Sequence, residues 1–269
     1  MKAPVFFIAI LACLCIQPAF SVQTGNSGPG RTLKVMTYNI HHCNPPSLPE
    51  GQIDVPAIAK VINDAKPDFV ALQEVDVNTE RSGKGKNQAR ELAQLTGMYF
   101  YFAKAIDHQG GDYGVAVLSK FPVLDSLQLP LPLPAEVKGE PRTVAAVKVR
   151  IPGGKKIWFA STHLDLKEET RLFQSDIIIK RLGSRKEPVI LAGDFNAVPT
   201  SPVIALLDKT FTRTCIDDCL PTSPHINPRR TIDFIMFTAP KRISAVKTSV
   251  IEETYASDHR PVVAELAVK

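Results

Sequence analysis

Short apolar runs alternate with stretches of helically spaced apolar residues through most of the chain. Apolar residues recur three and four positions apart in Val55–Ala65, which predicts an amphipathic helix that ends before a proline. Thr170–Leu182 has the same spacing, and shorter helices are predicted at Ala89–Leu95 and Ser201–Leu207. Continuous apolar runs of about four to eight residues predict buried strands. The predicted strands are Leu33–Tyr38, Phe69–Leu72, Tyr99–Ala103, Val115–Ser119, Pro188–Ala192, Ile232–Phe237 and Val262–Val268.

The connections between these elements indicate the fold class. Arg142–Ile151 and Lys156–Thr162 are predicted to form a hairpin that turns at Pro152–Gly154. Leu129–Pro134 alternates leucine with proline and fits an edge strand or an extended connection, because proline cannot donate to a central ladder. Cys219–Arg230 contains three prolines and is predicted to be a loop. Many strands, few helices and a hairpin predict one α/β domain with packed mixed sheets.

The N-terminus has the pattern of a targeting segment. A positive Lys2 precedes the apolar run Val5–Ile16, and Ala19–Ser21 gives a small-x-small cleavage site. The run is shorter than the roughly 20 residues that a transmembrane helix needs. We therefore expect a signal peptide over residues 1–21, a flexible leader rich in Gly, Ser, Asn and Pro over residues 22–31, and export to the periplasm or beyond the cell.

The cysteines bear on the same prediction. Cys13 ends an Ile-Leu-Ala-Cys stretch, which leaves lipoprotein anchoring as an alternative form of export. An exported chain permits disulfides, and Cys215 and Cys219 could bridge a local loop, which would leave Cys43 unpaired. No spacing of cysteine and histidine resembles a zinc site.

The net charge of the chain says only a little about its substrate. The 269 residues carry a formal net charge of +5. A mildly basic chain suits an anionic substrate. The sequence has no long stripe of lysine and arginine, which a dedicated duplex binder usually shows. A small or lipid-derived substrate is therefore favoured over duplex DNA. Nothing in the sequence indicates an obligate protein partner, and we expect a monomer.

Ionisable clusters follow the predicted strands, where a rigid scaffold presents catalytic groups to a cleft. One acid after a strand is more often a helix cap or a turn former, so the repetition carries the argument. The six clusters are Tyr38–His42, Gln73–Asp76, Ser161–Asp165, Gly193–Ala197, Thr231–Ile235 and Ser257–Pro261.

The residue types in these clusters satisfy the needs of phosphate-ester hydrolysis. A hard cation such as Mg²⁺ prefers carboxylate oxygens, which Glu74 and Asp258 could supply. A water nucleophile needs a base, and His259 could serve if a carboxylate such as Asp233 fixes its tautomer. The charged transition state needs hydrogen-bond donors. The candidate donors are Asn39, His163 and Asn196.

At these positions the chain resembles the endonuclease/exonuclease/phosphatase superfamily, often called DNase I-like. The resemblance covers nearly all of residues 32–269 and implies one catalytic domain. It implies a four-layer α/β sandwich, in which helices flank two packed mixed sheets and one cleft lies at the strand ends. The matching stretches, in the family's order, are Met36–Asn39, Leu72–Val75, Tyr113–Lys120, Ser161–His163, Gly193–Asn196, Ile232–Ile235 and Ser257–Pro261.

The resemblance also implies roles for individual residues. Glu74 is expected to bind Mg²⁺ or Mn²⁺ with help from Asn39 and Asp258. His259 is expected to act as the base, paired with Asp233. The remaining catalytic expectations are that Asp194 orients or deprotonates water, Asn196 holds a phosphate oxygen and His163 contacts the phosphate.

Val77–Gly83 and Glu140–Thr143 further resemble stretches of an exported bacterial subgroup. Arg81 and Arg142 thereby become candidate contacts to the substrate anion, since guanidinium suits phosphate oxygens. The alternative for each is a surface arginine or one that braces a loop. One departure is Cys43, which stands where such proteins commonly have glycine and would be strained at a positive φ.

Two adjacent histidines precede that cysteine. An extended chain would point His41 and His42 to opposite faces, so we expect only one of them, His42, to reach the cleft. The sequence thus predicts a secreted, divalent-metal-dependent hydrolase of phosphate esters that uses a histidine-activated water. The alternatives are an endonuclease acting on DNA or RNA, and a catalytically dead ligand-binding module on the same fold.

Overall fold

Two six-stranded mixed sheets dominate the computed structural model, which describes residues 31–269. The first sheet has the strand order β11-β12-β1-β2-β4-β3, and the second has the order β5-β6-β7-β8-β10-β9. The strands are β1 (Arg31–Asn39), β2 (Phe69–Val77), β3 (Tyr99–His108), β4 (Gly111–Ser119), β5 (Val123–Leu131), β6 (Arg142–Arg150), β7 (Lys156–His163), β8 (Val189–Asp194), β9 (Thr212–Arg213), β10 (Asp233–Phe237), β11 (Ile243–Val250) and β12 (Val262–Val268). The predicted signal peptide, and the predicted leader up to residue 30, lie outside the described residues.

The two sheets pack face to face through fully buried apolar side chains. Leu33 and Phe69 of the first sheet share one core with Phe159 and Ile190 of the second. The rings of Phe69 and Phe159 lie 4.9 Å apart between centroids, within the range of favourable aromatic contact. Both faces of the central strands are buried, one between the sheets and the other under the helices, which accounts for the continuous apolar runs in the sequence.

Helices cover the outer face of each sheet. The helices α1 (Val55–Ala65) and α2 (Gln88–Thr96) pack on the first sheet, and α3 (Glu168–Ile178) and α4 (Pro202–Leu207) pack on the second. Asp54 caps α1, since its Oδ1 accepts a hydrogen bond from the amide of Ala57 at 3.0 Å. This arrangement confirms the predicted four-layer α/β sandwich. Within residues 31–269, every helix is too short or too polar to cross a membrane.

Some predicted boundaries differ from the structure. The helix predicted at Thr170–Leu182 begins at Glu168, and its α-helical part ends at Ile178 before a π-helical turn at Ile179–Gly183. The edge strand predicted at Leu129–Pro134 is the end of β5, which runs from Val123 to Leu131 at one edge of its sheet. Strand β11 was not predicted, because serine, lysine and threonine interrupt its apolar residues and it lacks a continuous apolar run.

Candidate active site

The register of the sheets brings three predicted residues together. Strand β7 runs parallel to β8 and pairs His163 with Asp194. Strand β10 runs antiparallel to β8 and pairs Asp233 with the same Asp194. Gly193 permits the close approach of β7, because a Cβ at this position would lie 2.1 Å from the carbonyl oxygen of Thr162. The glycine in this cluster is therefore explained by backbone packing.

A β-bulge turns Glu74 toward these residues. Gln73 and Glu74 together oppose the single residue Val115 of β4, and Glu74 has a φ of 58°. Asn39, at the end of β1, donates from Nδ2 to Glu74 Oε1 at 3.0 Å and to Asp194 Oδ2 at 3.2 Å. One amide group therefore links carboxylates from the two sheets. Its Oδ1 accepts from the backbone amide of His41 at 3.1 Å.

Asp194 is the centre of the site. Its Oδ1 accepts from the backbone amide of Asn196 at 2.8 Å, which fixes the carboxylate. Its Oδ2 lies 3.6 Å from Nε2 of His163 and 3.8 Å from Nε2 of His259. Burial and then the negative charge of Asp233 raise the pKa of Asp194 to about 7.

His259 and Asp233 form a buried pair. Nδ1 of the imidazole lies 2.9 Å from Oδ2 of Asp233. Burial lowers the pKa of His259, but the charge and hydrogen bond of Asp233 outweigh that effect and raise the pKa to about 10. The structure thus places the predicted base beside its predicted orienting acid, with Nε2 directed at Asp194.

His163 and Asn196 lie on the other side of Asp194. Burial, followed by the positive charges of Arg142 and His259, lowers the pKa of His163 well below its usual value, so its imidazole is neutral at pH 7. Asn196 has a φ of 49° and uses Nδ2 to donate to the carbonyl oxygen of Leu164 at 2.9 Å. An amide nitrogen carries two protons, so Asn196 keeps a second donor.

The donor set fits a divalent cation. Ligand atoms of Asp194, Asp233 and His259 all lie within 4.8 Å of one another and could hold a metal ion. Asp258 is half-buried and close enough to raise the pKa of His259. With Glu74 these carboxylates bring more negative charge into the site than the nearby cations balance, and their oxygens are the ligands that Mg²⁺ and Mn²⁺ prefer.

The two candidate arginines differ in their partners. Arg142 is 8% exposed, and its Nε has no hydrogen-bond partner among the described residues. Its nearest carboxylate oxygen belongs to Glu140 at 3.6 Å. Its charge acts on His163, so Arg142 faces the site and keeps donors for an anion.

Arg81 is instead engaged by a carboxylate that the sequence analysis did not single out. Its Nε and Nη2 donate to the buried Asp76 at 2.7 and 3.0 Å, and its guanidinium lies 5.6 Å from the ring centroid of Tyr113. The structure therefore gives Arg81 a bracing role rather than that of a free anion contact. Alternation along β2 was the available signal, since Asp76 lies two positions after Glu74.

The turn at His41–Cys43 corrects the prediction of an extended segment. The three residues have φ values of 45°, 41° and 58°, and the rings of His41 and His42 lie 4.6 Å apart. His42 is buried, and burial followed by the charge of Arg81 lowers its pKa to about 4. Cys43 has the positive φ that makes its departure from glycine a strained choice. Three consecutive left-handed residues are a local cost that the surrounding core must offset.

The loop between β9 and β10 also reaches the site. The hydroxyl of Thr222 donates to Asp233 Oδ2 at 2.5 Å. His225 is half-buried, and its amide donates to the carbonyl oxygen of Asp258 at 2.7 Å. The loop begins at a disulfide between Cys215 and Cys219.

Solved structures with a similar fold include enzymes of phosphate chemistry. An endonuclease/exonuclease/phosphatase from Beutenbergia cavernae DSM 12333 is 27% identical, with a TM-score of 0.71 over 88% of this chain and 72% of its own. A mannosyl-6-phosphatase from Bacteroides thetaiotaomicron VPI-5482 is 18% identical, with a TM-score of 0.70 over 87% and 99% of the two chains. The human Nocturnin catalytic domain with a bound sulfate anion is 20% identical, with a TM-score of 0.68 over 90% and 94%. The last two likenesses show the fold alone.

The sequence itself identifies the family. No curated protein sequence matches the chain significantly. The model of the Endonuclease/Exonuclease/phosphatase family matches residues 36–259, which include five of the clusters whole and the sixth as far as His259. The chain therefore belongs to the endonuclease/exonuclease/phosphatase family.

Proposed function

We propose that this protein is a divalent-metal-dependent hydrolase of phosphate esters in which His259 activates water. The observation that carries the proposal is the position of Asp194 Oδ2, which lies within 4 Å of Nε2 of both His163 and His259. Two imidazoles therefore flank one carboxylate. His259, which is bonded to Asp233, can serve as the proton acceptor, and His163 can donate a hydrogen bond to an anion.

Each side chain then has a defined task. Asp194 orients the water, Nε2 of His259 accepts a proton from that water, and Asp233 stabilises the resulting imidazolium. His163 and Asn196 donate to phosphoryl oxygens, and the charge of Arg142 attracts the substrate. A bound divalent cation supplies positive charge that lowers the pKa of a nearby histidine and neutralises phosphate oxygens.

We propose that Glu74 and Asp258 hold this cation, as Mg²⁺ or Mn²⁺. Nδ1 of His259 and Oδ2 of Asp233 already bond to each other, which leaves these two side chains fewer ligand atoms for a metal. Asn39 donates to Glu74 Oε1, so its role in this arrangement is to orient that carboxylate. This orientation is a form of support that metal ligands commonly receive.

The substrate we propose is a small or lipid-derived phosphate ester. The mannosyl-6-phosphatase shows by its name that the fold can serve a sugar phosphate. The sequence has no basic stripe of the kind that grips a duplex. We also propose export and a monomeric state, which N-terminal sequencing of the mature protein, expected to begin at Val22, and size-exclusion chromatography would test.

The test compares the wild type with Asp194→Ala on p-nitrophenyl phosphate, bis-p-nitrophenyl phosphate, phosphosugars, sphingomyelin and plasmid DNA. We expect hydrolysis of a small ester by the wild type, loss of it in the variant, and little plasmid nicking. EDTA should stop the reaction, and Mg²⁺ or Mn²⁺ should restore it. Hydrolysis that resists the chelator would remove the metal from the proposal. A folded wild type that binds a phosphate ester without cleaving it would favour a binding module.

A further inference from the structure

The loop between β9 and β10 holds the backbone on both sides of His259. The amide of Arg260 donates to the carbonyl oxygen of Thr222 at 2.8 Å, and the amide of His225 donates to the carbonyl oxygen of Asp258 at 2.7 Å. Nε of Arg260 adds a third bond, to the carbonyl oxygen of His225 at 2.8 Å. The loop therefore fixes the main chain from which the proposed base projects.

The side chain of Thr222 acts on the other partner of that base. Its hydroxyl donates to Asp233 Oδ2 at 2.5 Å and accepts from the amide of Ile232 at 3.3 Å. The same Oδ2 atom receives Nδ1 of His259 at 2.9 Å, whereas Oδ1 of Asp233 is buried without a partner in residues 31–269. The orientation of this carboxylate therefore depends on two donors that meet at one oxygen.

We propose that Thr222 is a positioning residue for catalysis, which fixes the carboxylate of Asp233 and thereby directs Nε2 of His259 at Asp194. This inference rests on the proposed function. Thr222 is fully buried and touches no reacting atom, so it acts through Asp233 and through the neighbouring backbone groups that it hydrogen-bonds. Without the hydroxyl of Thr222, the carboxylate of Asp233 loses one of the two hydrogen bonds that set its rotation. The imidazole of His259 then loses an acceptor in a fixed position.

The experiment separates the hydroxyl from the shape of the side chain. Thr222→Val removes the hydroxyl at nearly constant volume, and Thr222→Ser keeps it. We expect the valine variant to lose about 10- to 100-fold in kcat with little change in KM, and the serine variant to recover most of that loss. The matched control is Thr170→Val. Thr170 is also fully buried, but its hydroxyl has no partner in the described part of the chain. This control should keep the wild-type kcat.

Several outcomes would overturn the inference. One is that folded Thr222→Val keeps the wild-type kcat. Another is that the valine and serine variants lose the same fraction of kcat, because an equal loss would assign the effect to packing. If the valine variant does not fold, Thr222→Ser and Thr222→Ala give the same comparison, and equal kcat values for that pair would overturn it. A wild type without any hydrolytic activity would instead contradict the proposed function, so the two failures are distinguishable.

Discussion

His163 and His259 meet the same oxygen of Asp194 from two sides, yet their protonation differs. Both are buried, and their Nε2 atoms lie 3.6 and 3.8 Å from Oδ2 of Asp194. Nδ1 of His259 is bonded to Asp233, whereas Nδ1 of His163 has no partner within residues 31–269. The pKa of His259 is raised to about 10, and that of His163 is lowered by burial. The carboxylate on the far nitrogen therefore makes His259 the more basic of the two imidazoles, whereas His163 stays neutral.

The largest effect should come from removing the proton acceptor itself. His259→Ala leaves the water without a base, and we expect kcat to fall about 10⁴-fold, the upper end for general-base catalysis. Turnover of the purified variant measures this, with circular dichroism as the check that the fold persists. Undiminished turnover would show that His259 is not the base and that its contrast with His163 has no catalytic meaning.

Asp233→Asn should make His259 resemble His163. The change removes the negative charge that holds the proton, so the pKa of His259 should fall from about 10. We expect kcat to fall about 10³-fold, because the amide also allows the wrong tautomer. An NMR titration of His259, compared with wild type at equal metal concentration, measures the pKa. An unchanged titration curve would mean that Asp233 does not control this imidazole.

His163→Ala tests the neutral member of the pair. A donor to the phosphoryl oxygens is lost while the base remains, and we expect kcat to fall about 100-fold. The shape of the pH–rate profile should stay that of the wild type, because burial keeps His163 uncharged. If the pH–rate profile of this variant no longer falls on one side of its optimum, His163 itself changes protonation during the reaction.

Much of the contrast between His163 and His259 could be predicted from the sequence, because it depends on residues at the ends of strands. His163 and Asp194 end buried apolar runs, and Asp233 begins an antiparallel one, so all three lie along one edge of the sheet. Family resemblance then supplied the pairing of His259 with Asp233. The fold followed from the same runs, except where polar residues interrupt the apolar ones, as in β11.

The remaining features depend on contacts between distant residues. Thr222 lies in a proline-rich loop, and nothing in its local sequence indicates a bond to Asp233, which is eleven positions away. Tertiary packing sets the bulge at Glu74 and the left-handed turn at His42. Neither segment contains a glycine from which a positive φ could be predicted. The bond between Arg81 and Asp76 likewise joins a loop residue to a strand residue, and it favours the bracing alternative over the anion contact.

The smallest effect concerns His42, a third buried imidazole that lacks a carboxylate on either ring nitrogen within the described chain. Its pKa is lowered from 6.5 to about 4, so between these values the unfolded chain binds a proton that the folded protein does not. The stability that this difference contributes is present above about pH 6.5 and is lost as the pH falls toward 4. From pH 7 to pH 5 the loss should be about 2 kcal/mol, measured as free energy of unfolding in urea. His42→Gln should lack this part of the pH dependence. If the plots of unfolding free energy against pH are parallel for variant and wild type, burial does not hold His42 neutral. The same result would mean that the lack of a carboxylate partner does not by itself explain why His163 is neutral.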